Sequence, residues 1–335
     1  MLCKVGKMNK IFWLALLTLW TSLAFLVFIT FFSTKTNVVE KEPPCKEFSE
    51  SLDFIGFNNV NGSKKCYVVP NFVHFVYIDS PFCFVDVVVL LAAIKYQMPS
   101  KIFIHTNNMT ALNSSKYWNT VMSWERLKKH VRFVNIKIPA SIERNNSQRK
   151  ISFQVGLRAL YKMGGVYLDR YSIVLKNLHH FRRFEMAIGW RNSGSISTNV
   201  IIAHRKARFL SKLINIHTAL FYDETLDGRW MWRVHETVVD SHEETHRITR
   251  HFDEESSGWL FLRNDWKWEN HYVINIWFTL RLIFLTKPNN LEQAEFPLCF
   301  NETNVYTIFK NSSLLNAISE LLPLNYNFLS TNENN

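Results

Sequence analysis

Residues 11–32 read IFWLALLTLWTSLAFLVFITFF, 22 positions without a charge. As a helix this run is about 33 Å long, enough to cross the hydrocarbon core of a bilayer. A cleaved signal peptide has a shorter apolar stretch, roughly 7–15 residues, followed by a small-residue cleavage site. Here FFSTKTNVVE follows instead. The run is therefore read as a retained anchor.

Charge sets its orientation. Lys4, Lys7 and Lys10 precede the span with no acid among them, whereas Lys35 and Lys41 beyond it are mixed with Glu40 and Glu42. This bias predicts a cytosolic tail over 1–10 and a luminal remainder, a type II topology. Asn-x-Ser/Thr sequons at Asn61, Asn108, Asn113, Asn145, Asn301 and Asn311 all follow the span, where luminal acceptors belong. Cys3 falls in the cytosol and is read as an inert thiol, with palmitoylation as the alternative. Cys45, Cys66, Cys83 and Cys299 fall in an oxidising compartment and allow two disulfides, with Cys45–Cys66 the favoured pairing.

Residues 33–68 are polar, carry Pro43 and Pro44, and read as a stem. From 69 to about 330 the texture is that of a globular domain. YVVPNFVHFVYI is dense in β-branched and aromatic residues and predicts a buried strand. DVVVLLAAIKYQ predicts a helix ending before Pro99, and SKIFIHTN and RFVNIKI predict two more strands. ISFQVGLRALYKM has helical apolar spacing and stops at Gly164-Gly165; VYLDRYSIVL follows as a strand. Strands alternating with helices predict an α/β domain with a largely parallel sheet, whose ligands sit at the carboxyl ends of the strands. Asp169 is placed for such a site.

The net charge of +11 calls for an anionic partner or is simply a diffuse basic surface. No zinc-finger spacing or basic-aromatic RNA motif is present, and a luminal compartment excludes nucleic acid. A nucleotide diphosphate is the sharper alternative.

The segment LYKMGGVYLDRYSIVLKNL (160–178) resembles the sugar-binding Asp-x-Asp region of Golgi glycosyltransferases, a family that includes α-1,4-galactosyl- and α-1,4-N-acetylglucosaminyltransferases. VPNFVHFVYI and KIFIHTN are similar to the family's first two strands, STNVIIAHRKARFL to the block after the metal motif, and NDWKWENHYVINIW to the closing Trp block. These blocks occur in the family's order over some 210 residues. The resemblance implies a GT-A-like nucleotide-sugar-binding domain. It also implies a UDP-sugar donor, a glycan or glycolipid acceptor and residence in the Golgi membrane, the endoplasmic reticulum being the other compartment left open. Mn²⁺ or Mg²⁺ held by Asp169 would bridge the phosphates of the donor as a Lewis acid. Tyr77 would stack on the base, and Gly164, Gly165, Tyr167, Asn199 and Trp277 would complete the donor site. No catalytic acid or base is assigned.

Several positions depart from the family pattern. The second motif Asp is Tyr171, the Asp and Arg of Ser-Asp-x-x-Arg are Phe153 and Gly156, and the closing His is Asn275. Arg158 lies two positions past Gly156, on a different helical face. These departures open a second reading, an inactive relative that binds glycans or stabilises a partner. A third, remote reading comes from His242-Glu243-x-x-His246, which on a helix would form the zinc site of a metalloprotease.

The topology has a direct test. Expressed in a eukaryotic cell, the full chain is expected to resist alkaline carbonate extraction and to lose mass on N-glycosidase treatment. A soluble, unglycosylated product would overturn the type II assignment.

Overall fold

The computed structural model describes residues 54, 56–64, 66–139, 147–190, 196–221, 243–254, 260–286 and 299–322. The tail, the 11–32 run and the stem up to residue 53 lie outside them, as does Cys45 and with it the Cys45–Cys66 pairing. Among the described residues no helix is long and apolar enough to cross a membrane.

Four parallel strands form the first half of the domain. Strand β1 (Phe72–Tyr77) leads through helix α1 (Phe84–Ala92) to β2 (Lys101–Thr106). Helix α1 continues as a π turn over Ala93–Gln97 and ends on Met98 before Pro99. Three short helices, α2 (Met109–Asn113), α3 (Lys116–Met122) and α4 (Glu125–Lys128), lead to β3 (Val131–Asn135). Helix α5 (Gln148–Met163) then crosses back to β4 (Gly165–Leu168), which pairs with the other edge of β1.

Strand VYLDRYSIVL is not continuous. The Ser172 N–H donates to the Asp169 carbonyl and the Tyr171 N–H to Asp169 Oδ1, closing a tight turn. Beyond it β5 (Ser172–Val174) joins a different sheet. The main sheet runs β3-β2-β1-β4 and continues with β7 (Ile196–Ala203), β6 (Met186–Trp190) and β8 (His246–Ile248). The pairs β4–β7 and β7–β6 are antiparallel and the other four parallel, so the sheet is mixed and mostly parallel. The second sheet holds β5, β10 (Val273–Asn275) and β9 (Phe252–Glu254).

Period-2 alternation sends β1 into two cores. Val73, Phe75 and Tyr77 pack on the α1 side, with the second sheet and with helices α8 (Glu302–Phe309) and α9 (Ser313–Ser319). Val76 and Ile78 face α5 and helix α6 (Arg208–Phe221). A Cys83–Cys299 disulfide ties the start of α1 to the segment entering α8, closing a loop of 216 residues. Constraining a loop of that length in the unfolded chain stabilises the fold by roughly 2–5 kcal/mol.

His74 is wholly buried in β1. Its Nε2 lies 2.9 Å from the Gly164 carbonyl and therefore carries the proton, leaving Nδ1 to accept from His105 Nε2 at 3.0 Å. This pair pins the end of α5, where Gly164 (φ 68°) and Gly165 (φ 125°) take backbone conformations that side chains disfavour. Burial lowers the pKa of His74 to about 4 and that of His105 to about 3.

A pH dependence follows. In the unfolded chain both rings titrate near 6.5, so above that pH their contribution is fully present. As pH falls toward about 4, the unfolded state takes up protons that the folded state refuses. Stability is then expected to drop by about 1.4 kcal/mol per pH unit for each ring. Urea titrations at pH 7, 6 and 5 measure this, and equal unfolding free energies across that range would refute it.

Candidate active site

The chain leaves β1 toward β2 on one side and returns as β4 on the other, so the carboxyl ends of β1 and β4 flank a topological switch point. A cavity of about 260 Å³ lies there. Val76, Ile78 and Ser80 line it from β1 and the residues after it, and Ser147, Gln148, Arg149 and Ser152 from the start of α5. Asp169, Arg170 and Tyr171 come from the turn after β4, and Trp277 from the start of helix α7 (Trp277–Thr286).

Asp169 is 7% exposed. Its Oδ1 accepts from the Tyr171 N–H at 3.1 Å and from Asn275 Nδ2 at 3.0 Å, while Oδ2 makes no hydrogen bond among the described residues. Asn275 also donates to Ser172 Oγ at 3.1 Å, and its Oδ1 caps the Trp277 N–H at 3.1 Å. Asn275 thus ties β10 of the second sheet to the turn that leaves β4 of the main one.

Arg170 carries the second charge. Its Nε and Nη2 fork onto the Asp86 carboxylate at 3.1 and 2.7 Å, and Nη2 also reaches the Pro81 carbonyl at 3.2 Å. Nη1 makes no hydrogen bond among the described residues. The Tyr77 and Tyr171 rings lie on the guanidinium, each with its centroid 5.4 Å away. Burial acts to lower the pKa of Arg170, but Asp86 outweighs it and holds the cation firmly charged. Arg149, the other cation of the cavity, donates from Nη2 to Asn199 Oδ1 at 2.6 Å.

The expected site residues divide. Asp169 and Trp277 come together at the cavity, with Tyr171 stacked obliquely on Trp277 at 5.1 Å. Asn199 sits behind, buried and held by Arg149. Tyr77 does not offer its ring to a base: it is 2% exposed, points to the α1 side, and lies against the Arg170 guanidinium. Tyr167 is also buried, on the α5 side, against Phe153 and Gly156. Gly164 precedes β4 and Gly165 opens it, at the opposite end of that strand from Asp169. Arg158 lines a separate cavity of about 630 Å³ between β3 and α5.

A divalent ion does not fit the residues present. Among the described residues Asp169 is the one carboxylate lining the cavity, and Asn275 directs an N–H donor to its Oδ1. Burial raises the Tyr171 hydroxyl to about 12, so it stays a neutral phenol. Among the described residues no three His, Cys, Asp or Glu side chains come together to hold a metal. Of the His242-Glu243-x-x-His246 run, residues 243–246 are not helical. Glu243 and Glu244 form a turn, His246 lies in β8 stacked on Phe184 at 3.6 Å, and His242 lies outside the described residues. The metalloprotease reading fails on that geometry, because its two histidines need one helical face.

Arg149, Arg170 and Asp86 were not singled out by the sequence. The available signal was Asp86 itself, an acid inside the otherwise apolar FVDVVVLLA.

Placing an arginine at position 156 tests how this region is packed. A Cβ on Gly156 would lie 2.4 Å from the Tyr167 ring, so Gly156→Arg is expected to cost at least about 2 kcal/mol from overpacking. Thermal unfolding measures it; an unchanged midpoint would mean that Tyr167 is not fixed where the structure has it.

No family model matches the chain, and a search of curated proteins finds no match. Among solved structures the chain is similar to PaToxG Glycosyltransferase, at 10% identity and a TM-score of 0.36, over 51% of this chain and 70% of that one. It is also similar to the apo form of the glycosyltransferase GlyE of Streptococcus pneumoniae TIGR4, at 11% identity and a TM-score of 0.37, over 53% of this chain and 45% of that one.

Proposed function

We propose that the chain is a type II Golgi-membrane glycosyltransferase that moves a hexose or N-acetylhexosamine from a UDP-sugar to a glycan or glycolipid acceptor. The observation that carries this reading is the cavity at the β1/β4 switch point. It combines a carboxylate that accepts from hydroxyls, two guanidiniums that donate to phosphate, and an indole on which a sugar face stacks. The motif blocks of the sequence converge on the same place, since LDRY supplies three of the lining residues and NIW supplies Trp277. At about 260 Å³ the space is below the ~300–1,000 Å³ usual for drug-sized ligands, so the enclosed part of the donor is its phosphate–sugar end.

In this reading Asp169 Oδ2 orients the transferred sugar through a hydroxyl, and Arg149 and Arg170 hold the departing phosphate. With the donor sugar fixed between them, the acceptor hydroxyl approaches from the open side. Retention of anomeric configuration is what the resemblance implies.

A second reading, a non-catalytic glycan-binding or partner-stabilising subunit, is favoured by Phe153 and Gly156. The positions where the family carries Asp and Arg are buried apolar packing here. Turnover separates the two. Release of UDP from a panel of UDP-hexoses and UDP-N-acetylhexosamines, in the presence of glycan acceptors, is expected to fall at least about 100-fold in Asp169→Ala. Release that is absent from the unaltered chain, or unchanged in the variant, would overturn the transferase reading.

A further inference from the structure

Resting on that reading of the cavity, we propose that Arg149 and Arg170 replace the divalent cation, so that the site binds the diphosphate of a nucleotide sugar without metal.

A leaving diphosphate needs its charge met, and metal and guanidinium meet it in different ways. A metal needs several hard oxygen ligands held around one point. A guanidinium needs only its own N–H groups at phosphate distance and a carboxylate behind it to fix its plane. The cavity supplies the second set. Asp86 is fully buried and grips Arg170 through Nε and Nη2. The fork is thereby fixed and Nη1, unbonded among the described residues, is left on a residue that lines the cavity. The Tyr77 and Tyr171 rings hold the guanidinium plane in place. Tyr171, which stands where the second motif carboxylate would be, therefore supports a cation in place of ligating one.

Arg149 approaches from the first turn of α5, a 16-residue helix capped by Ser147, and its Nη2 is anchored on Asn199. The dipole of α5 adds to the attraction for an anion at that end. Asp169 does not cancel the arrangement. One of its oxygens is already occupied by two donors, and the other is an acceptor suited to a sugar hydroxyl. Formal charges over Asp86, Arg170, Asp169 and Arg149 sum to zero. Selectivity for phosphate thus comes from which groups face the cavity, with Asp86 behind Arg170 and not on the lining.

The test is calorimetric titration of UDP, and of inorganic pyrophosphate as competitor, into the detergent-solubilised full chain in EDTA and in Mn²⁺. Affinity is expected to agree within about twofold between the two buffers, with pyrophosphate competing. Arg149→Ala removes an exposed side chain and its hydrogen bond to buried Asn199, so the chain should stay folded with a small drop in thermal midpoint while affinity falls about 10- to 100-fold. Arg170→Lys keeps a charge but loses the fork, and should weaken binding similarly in preparations that remain folded. Binding that appears only with Mn²⁺ would overturn the inference and leave the transferase reading standing. Binding in EDTA that ignores Arg149→Ala would overturn the assignment of the arginines alone. No binding in either buffer would overturn both.

Discussion

The ion pair between Asp86 and Arg170 is the interaction on which the rest of the site depends. Asp86 sits in the first turn of α1, where it also accepts from the Cys83 N–H at 2.6 Å and so closes the helix start. Arg170 sits in the turn after β4, 84 residues later. Their contact joins the end of β1, the start of α1 and the turn that carries Asp169 into one rigid corner. Burying two such charges costs several kcal/mol each, and losing one partner typically costs 3–5 kcal/mol because the other is stranded. The turn therefore has little freedom to adopt another conformation. The Cys83–Cys299 disulfide bears on the same corner, bringing the segment before α8 against the first residues of α1, where the Phe84 N–H meets the Phe300 carbonyl.

A second constraint operates on the other side of Asp169. The turn hands the chain from the main sheet to the smaller one, and β10 of that smaller sheet returns Asn275 to the Asp169 carboxylate. Asn275 is paired in register with Ser172, so its amide lies over the turn for reasons of strand geometry. Its Nδ2 needs acceptors in that buried place, and Asp169 Oδ1 and Ser172 Oγ are the ones it finds. One Asp169 oxygen is thus committed to structure and the other left to the cavity.

Much of this fold was legible in the sequence, because β1, β2, β3 and α5 carry apolar patterns that leave few alternatives. The break between β4 and β5 was not. VYLDRYSIVL is β-prone throughout, and what ends β4 at Leu168 is a turn fixed by partners far away in the chain. The same limit applies to the site. Tyr77 and Tyr167 have side chains suited to a nucleotide, but strand alternation turns Tyr77 away from the cavity that Val76 and Ile78 line, and Tyr167 into the α5 core. Residue type suggests chemistry; the face of the strand decides whether that chemistry is reachable. Arg170 is one of 39 lysines and arginines, and only a buried acid on a distant helix distinguishes it from a solvated charge.

Phe153 and Gly156 form one physical unit. They are three apart on α5 and share a face, and both meet Tyr167, Phe153 at a ring distance of 6.2 Å and Gly156 by leaving the space that the ring fills. A charged Asp–Arg pair on this face would have to be buried against β4 with both partners present. Removing only one would strand the other charge in the core at several kcal/mol. An aromatic and a glycine at these positions avoid that penalty and add ring packing. Phe153 and Gly156 bring no charge to the α5 side of β4, and at the opposite corner Asp86 holds Arg170. What charge the cavity retains is therefore concentrated in Arg149, Asp169 and Arg170. In the reading proposed above, a site of this kind recognises anions by fixed guanidiniums, whether or not it goes on to transfer a sugar.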